Sequence, residues 1–230
     1  MLTMSETFNP VYRTAEQINS AMANVYKWMF LAILVSMGIA YGVGNNQALL
    51  EFFFTGVLKW VVVFAPLAAV FAISLALNAN PPKELAVLML LGFAALMGLS
   101  FATIFAIYQM GSIFTAFMGA GILFGVMSFY GYFTKKSLDS VGKFMFIGLI
   151  AIILASIVNI FIGSSVFSMV ISSLAIIIFL GLTAYDTQKI REMISYESSG
   201  NMEVQAALTL YLNFINIFLS LLQLFGDKKE

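Results

Sequence analysis

Cysteine and histidine are both absent from this chain. Without cysteine there is no disulfide, no thiolate nucleophile and no soft-metal site. Without histidine there is no Ser-His-Asp triad, no His-Glu-x-x-His zinc motif and no haem held by an imidazole. Any bound metal must therefore be held by oxygen, which favours calcium, magnesium or manganese. Charge is scarce too: 10% of the residues are Asp, Glu, Lys or Arg, against roughly a quarter in soluble domains. So few charges cannot cover an aqueous surface. They are balanced, 11 cations to 11 anions, and scattered, which leaves no basic face for nucleic acid. No enzyme and no organic cofactor are expected from this inventory.

What is abundant is apolar. Hydrophobic residues make up 61% of the 230, and the mean hydropathy is +0.98. A helix needs about 20 apolar residues to cross the hydrocarbon of a bilayer. Seven stretches qualify, at 25–44, 57–77, 85–107, 113–133, 144–162, 166–188 and 204–225. The breaks between them, such as "GNN", "NANPPKE" and "YQMGS", have turn chemistry. The expected fold class is an all-α membrane protein with seven transmembrane helices and a bilayer as its main partner. The expected division is an N-terminal tail at 1–24, a helical domain at 25–225 and a C-terminal tail at 226–230. The opening residues lack a cationic tip followed by an apolar core, so they do not read as a cleavable signal.

Orientation follows from the basic residues. Seven spans put the N-terminus and the loops after spans two, four and six on one side. That side holds Arg13, Lys27, Lys83, Lys135, Lys136, Lys143, Lys189 and Arg191, eight of the 11 cations. A cytoplasmic N-terminus is the consequence. The lysines of the closing "GDKKE" then fall outside, unless the last segment dips and returns; a full span is the expectation.

Polar residues inside the spans are the candidates for function. Asp186, in "GLTAYDTQKIR", borders an apolar run in which a carboxylate costs about 2.5–3.5 kcal/mol, and such residues tend to face cavities or ion paths. A pairing with Lys189 or Arg191 at the membrane interface is the plainer alternative. The turn "YESSGNME" is centred near Ser199–Gly200, and residues equidistant from it lie at similar depth. Position 186 then meets position 213, which is Asn, in "LYLNFINIFLSLL". Asn213 and Asn216 are three apart and share a helix face, and they need hydrogen-bond partners. Contact between Asn213 and Asp186 would supply one, either as glue between helices or as part of a site. Asn159 fits a packing hydrogen bond, Tyr130 and Tyr132 an aromatic belt, and "GILFG" at Gly121–Gly125 a close helix contact.

At "VYKWM", "MSFYGYFTKKSL", "LASIVNIF", "GLTAYDTQKI" and "ALTLYLNFINIFLSLL" the sequence resembles the Bax inhibitor-like transmembrane family, in its bacterial branch. The resemblance implies a central last helix between two three-helix layers. It also implies a pH-sensitive calcium leak in the inner membrane, with calcium as the permeant or bound ion. In the family, the aspartate matching Asp186 shares a proton with an aspartate on the last helix, and the pair controls a cytoplasmic gate. Here that second position is Asn213. Repulsion between two carboxylates is then absent, so pH gating is expected to be blunted or shifted. The Asn carbonyl can still ligate calcium, in a weaker site than two carboxylates would make. Tyr185, Asn216 and Asn159 are the expected pore-lining or supporting residues. A basic latch found on the second helix of some relatives has no counterpart in "WVVVFAPLAAVFAISLAL".

Two other readings stand beside this one. Asp186 with Asp227 evokes an intramembrane aspartyl protease, but Asp227 lies roughly 21 Å beyond position 213 along a helix, too far to share a water. Alternatively, the resemblance admits a non-transporting regulator that binds a membrane-anchored ATP-dependent protease, with the N-terminal tail as its handle.

Overall fold

The computed structural model describes residues 13–196 and 200–229. Among these, every regular element is a helix: α1 (Ala15–Gly44), α2 (Gln47–Phe54), α3 (Leu58–Asn78), α4 (Lys83–Ile107), α5 (Met110–Phe133), α6 (Asp139–Ile162), α7 (Ser165–Tyr196) and α8 (Gly200–Phe225). All but α2 are long and apolar enough to cross a membrane. Their outer faces carry Phe71, Leu75, Phe144, Ile160 and Phe161, more than half exposed. In water these would form an aggregating surface; in a bilayer they form the lipid-facing belt.

The helix ends depart from the expected spans in instructive ways. α1 starts ten residues before position 25, because Thr14 and Gln17 form a reciprocal capping box. Ten of the 24 residues of the expected N-terminal tail are thus helix, and residues 1–12 lie outside the described residues. α7 continues past position 188 to Tyr196. At 1.5 Å per residue it is about 48 Å long, more than the hydrocarbon requires. α2 is an addition. Asn46 accepts from the Leu49 amide at 3.2 Å to cap it, but eight residues are too few to span, and none of them is buried.

α8 packs against α1, α3 and α4 on one side and against α5 and α7 on the other, while α6 leans on α7. Val204, Ala207, Leu210, Tyr211 and Ile217 of α8 are wholly enclosed. One polar cluster pins it: the Tyr211 and Ser36 hydroxyls are 2.6 Å apart, and Ser36 donates to the Ala94 carbonyl at 2.8 Å. α1, α4 and α8 are thereby joined at one point. α1 and α4 cross closely there, for a Cβ at Gly98 would lie 2.5 Å from the Ser36 carbonyl.

α4 and α8 run parallel. At their first turns Lys83 and Glu203 form an ion pair of 2.9 Å. At their far ends the chain after α8 folds onto the α4–α5 turn, where Gln109 donates to the Asp227 carbonyl and Lys229 to the Ile107 carbonyl. α8 is therefore a full span and does not return. The lysines at that end have work there. Lys229 Nζ donates to the Phe105 carbonyl at 2.7 Å, a cation on the carbonyl end of α4, where the helix dipole favours it. Asp227 accordingly sits at the opposite end of α8 from the turn leading out of α7, far from Asp186.

Glycine placement corrects one expectation. A Cβ at Gly121 or Gly125 would meet nothing within 4 Å, so "GILFG" makes no close helix contact within the described residues. The tight crossing of α5 lies at Gly131, where a Cβ would collide with the Ala184 backbone of α7. Gly131→Ala should destabilise the fold by about 1–3 kcal/mol, whereas Gly125→Ala should be neutral or better. Thermal unfolding of both variants in the same detergent checks this.

Candidate functional site

The stretch Tyr185–Gln188 sends four consecutive side chains to four different neighbours. Tyr185 lays its ring on α6, so close to Gly142 that a Cβ there would sit 2.5 Å from the ring. Thr187 is buried on the α5 side, 3.0 Å from the Ser128 hydroxyl, which in turn contacts Tyr26 of α1. Gln188 accepts from the Leu138 amide at 2.8 Å and donates to the Lys136 carbonyl at 2.9 Å, clamping the α5–α6 loop. α7 is thus fixed in rotation by three contacts, and Asp186 is left to point at α8.

There Asn213 Nδ2 donates to Asp186 Oδ2 at 2.6 Å. Asn213 is buried, at 5% exposure, and Asp186 is half-buried. The interfacial ion pair considered from the sequence does not form. Lys189 binds Glu192 at 2.9 Å and lies 4.0 Å from Asp139. Arg191 donates to the Tyr132 carbonyl at 2.8 Å with its guanidinium over the Tyr132 ring. No ion pair to Asp186 occurs among the described residues, and a charge-assisted bond from a neutral amide takes that place.

Two cavities share Asp186 as a lining residue. A vestibule of about 460 Å³ lies on the side of the α3–α4 and α7–α8 turns, lined by Asn78, Asn80, Tyr185, Asp186, Lys189 and Thr209 among others. A groove of about 750 Å³ extends the other way between α3, α6, α7 and α8. Asp186 and Thr209 line both. The lips of the groove are apolar, including Val70, Phe146, Ile153 and Ile157, while Asn213, Asn216, Ser220 and Ser172 line it more deeply and Gln223 lies exposed at its end.

The floor has a simple origin. Between Val204 and Leu222 the residues of α8 that escape burial are Gln205, Thr209, Leu212, Asn216 and Leu219. Their spacing alternates four and three, which traces one line down a helix. α8 is enclosed on every side except this stripe, and the stripe faces the groove.

Other candidates fall into place around this geometry. Asn216 lies one turn from Asn213 in the groove and donates to the Leu212 carbonyl at 2.8 Å. Asn159 is remote from the pair. Its amide donates to Ser168 at 2.6 Å and accepts from the Ser164 backbone at 3.2 Å, so it shapes the α6–α7 turn. Thr187, Gln188, Thr209, Ser172 and Gln223 were missed from the sequence. The i, i+4, i+7 spacing of polar residues at 216, 220 and 223 was the available signal.

Among the described residues no three or more acidic side chains gather as a metal site. A cation at the junction would have the Asp186 carboxylate and neutral oxygens only. Asn213 presents its N–H to Asp186, so its amide would have to turn for the carbonyl to face a cation. Replacing Asn213 by Leu leaves the carboxylate without this donor and should cost about 1.5–3 kcal/mol of stability. Asn213→Gln should recover part of the loss, both read as melting temperatures in detergent.

Comparison with known proteins fits the same frame. Residues 18–230 match the family model described as inhibitor of apoptosis-promoting Bax1. The inner membrane protein YbhL of Escherichia coli K12 is 36% identical over 92% of this chain and 93% of its own. An uncharacterized protein of Borreliella burgdorferi is 39% identical over 92% and 94%. An uncharacterized membrane protein of Streptococcus pyogenes is 38% identical over 70% of each chain. With a match across nearly its whole length and seven membrane-spanning helices, the chain belongs to the Bax inhibitor-like family of membrane proteins.

Proposed function

We propose that this protein is a pH-sensitive, calcium-permeable leak channel or channel-like carrier of a bacterial inner membrane, and not an enzyme. The observation that carries the reading is the position of Asp186. With Thr209 it lines both the polar vestibule and the membrane-depth groove, and Asn213 holds its carboxylate at 2.6 Å. A lone carboxylate there attracts a cation out of the vestibule. Because it is one charge and not two, it releases the ion again, as conduction requires.

The same arrangement supports a cytoplasmic N-terminus. The α3–α4 and α5–α6 turns and the end of α7 carry Lys83, Lys135, Lys136, Lys189 and Arg191, and the basic side of a membrane protein is the inner one. The E. coli relative's name as an inner membrane protein supports the choice of a bacterial inner membrane. The vestibule would then open to the cytoplasm and the groove would run outward.

Protonation enters through Asp186. The titratable groups near it in the vestibule are Tyr185 and Lys189, on its own helix. The end of α3 and the turn after it contribute Asn78 and Asn80, and α8 contributes Gln205, Thr209 and Asn213, none of which titrates. The apolar α6 wall adds none in the groove. Lys189 is occupied by Glu192 and Asp139. Adding a proton to Asp186 removes the charge that draws the cation in, so flux should fall on acidification.

The test is calcium entry into dye-loaded liposomes across about pH 5 to 8. The unaltered chain should show flux that weakens toward acid. Asp186→Asn should reduce it to the level of empty liposomes. Asn213→Asp should steepen the pH dependence, because two carboxylates then titrate as a pair. Flux that is absent from all three beside a working control would refute the leak. The regulator of a membrane protease would then be the reading to pursue, by truncating the N-terminal tail and measuring partner binding.

A further inference from the structure

The outer half of the groove contains more polar oxygen than helix packing needs. Ser172 is 2% exposed and donates to Gln223 Oε1 at 2.7 Å, across α7 and α8. Ser220 is 8% exposed, lines the same groove, and makes no hydrogen bond to any described residue. Asn216 uses its N–H on the Leu212 carbonyl, which leaves its Oδ1 without a donor from the described residues. Asn216, Ser220 and Gln223 are spaced i, i+4, i+7 and so form one row. Ser220 Oγ and Asn216 Oδ1 open onto the groove, where water or an ion is the partner left to them.

We propose that Asn216, Ser220, Gln223 and Ser172 form a second, uncharged cation-coordinating station, outward of Asp186, for a metal cation held by amide and hydroxyl oxygens and water. The four side chains offer no full charge, and no Asp, Glu, Lys or Arg lines this half of the groove. Coordination by neutral oxygens alone is weak, in the class of low-affinity calcium sites. Weak, successive stations are what lets an ion enter a path and also leave it. Gln223 is 10 residues, about 15 Å of helix, beyond Asn213, so an ion leaving Asp186 meets this row before the outer end of α8. The α6 wall opposite is apolar apart from Ser156, whose hydroxyl is spent on the Ile152 carbonyl, so the row is the main polar track available to an ion there. The station builds on the leak reading but is tested without measuring flux.

The absence of cysteine makes the chain its own background for the test. Leu219 lies in the groove beside the row without being a ligand, and Ile217 is wholly buried on another face of α8. Leu219→Cys is reconstituted in liposomes and reacted with a charged, membrane-impermeant methanethiosulfonate. Labelling is expected at position 219 and not in Ile217→Cys. Calcium at about 10 mM should slow it by roughly tenfold, as occupancy of a site with a dissociation constant of about 1 mM requires. Adding Gln223→Leu and Asn216→Leu to Leu219→Cys should remove that protection while leaving the thiol reactive. Leu212→Cys serves as a second reporter if Leu219→Cys is not monodisperse.

Two outcomes overturn the station. If the thiol reacts only with a lipid-soluble maleimide, the groove is filled by lipid. If it reacts with the charged reagent at a rate indifferent to calcium and sodium, the groove holds water but no cation. Protection by calcium in a chain that gives no flux would instead overturn the leak reading alone. Flux lost in Asp186→Asn, with no protection at position 219, would overturn the station alone.

Discussion

Inside a bilayer, a polar group can be answered only by the protein or by whatever the protein admits, and α8 is where this constraint bears hardest. The helix carries Tyr211, Asn213, Asn216 and Ser220 through the depth of the membrane. Tyr211 is answered by Ser36 and Asn213 by Asp186. α1, α4, α5 and α7 are all placed by the need to enclose this one helix. What they leave open is a single line from Gln205 to Gln223, and most of it lies against the groove that Asp186 also lines.

The rotation of α7 decides whether that line has a charge. Thr187, Gln188 and Tyr185 each engage a different element, so the residue between Tyr185 and Thr187 has one direction left. The "YDTQ" stretch therefore acts as a unit: three residues orient the helix and one carboxylate is aimed by them. The close α5–α7 crossing at Gly131 and Ala184 permits this, because a side chain at 131 would push α7 away from α5 and turn Asp186 with it.

Much of this was legible in the sequence. The span count followed from length and hydropathy, since a 20-residue apolar run has few alternatives. The meeting of positions 186 and 213 followed from counting outward from a short turn, because antiparallel helices rise equally on either side of it. Other features were not. α2 is too short to span and too apolar to read as a loop. Lys229 looked like a misplaced charge until the α4 carbonyls it caps were in view. "GILFG" looked like a packing motif, yet its glycines face open space while others, Gly98, Gly131 and Gly142 among them, make close approaches.

By itself, the sequence determined that the chain is a seven-helix membrane protein, that any metal it held would be oxygen-bound, and that one carboxylate faces an asparagine near the last turn. These follow from composition, run length and symmetry about a turn, which are local properties. Only the tertiary structure decided which face of each helix is inside. Lipid and protein interior are equally apolar, so hydrophobic periodicity, which orients a helix in water, carries little orientation here. The stripe on α8, its coincidence with the groove and the pairing of Ser172 with Gln223 exist only once the helices are assembled around one another.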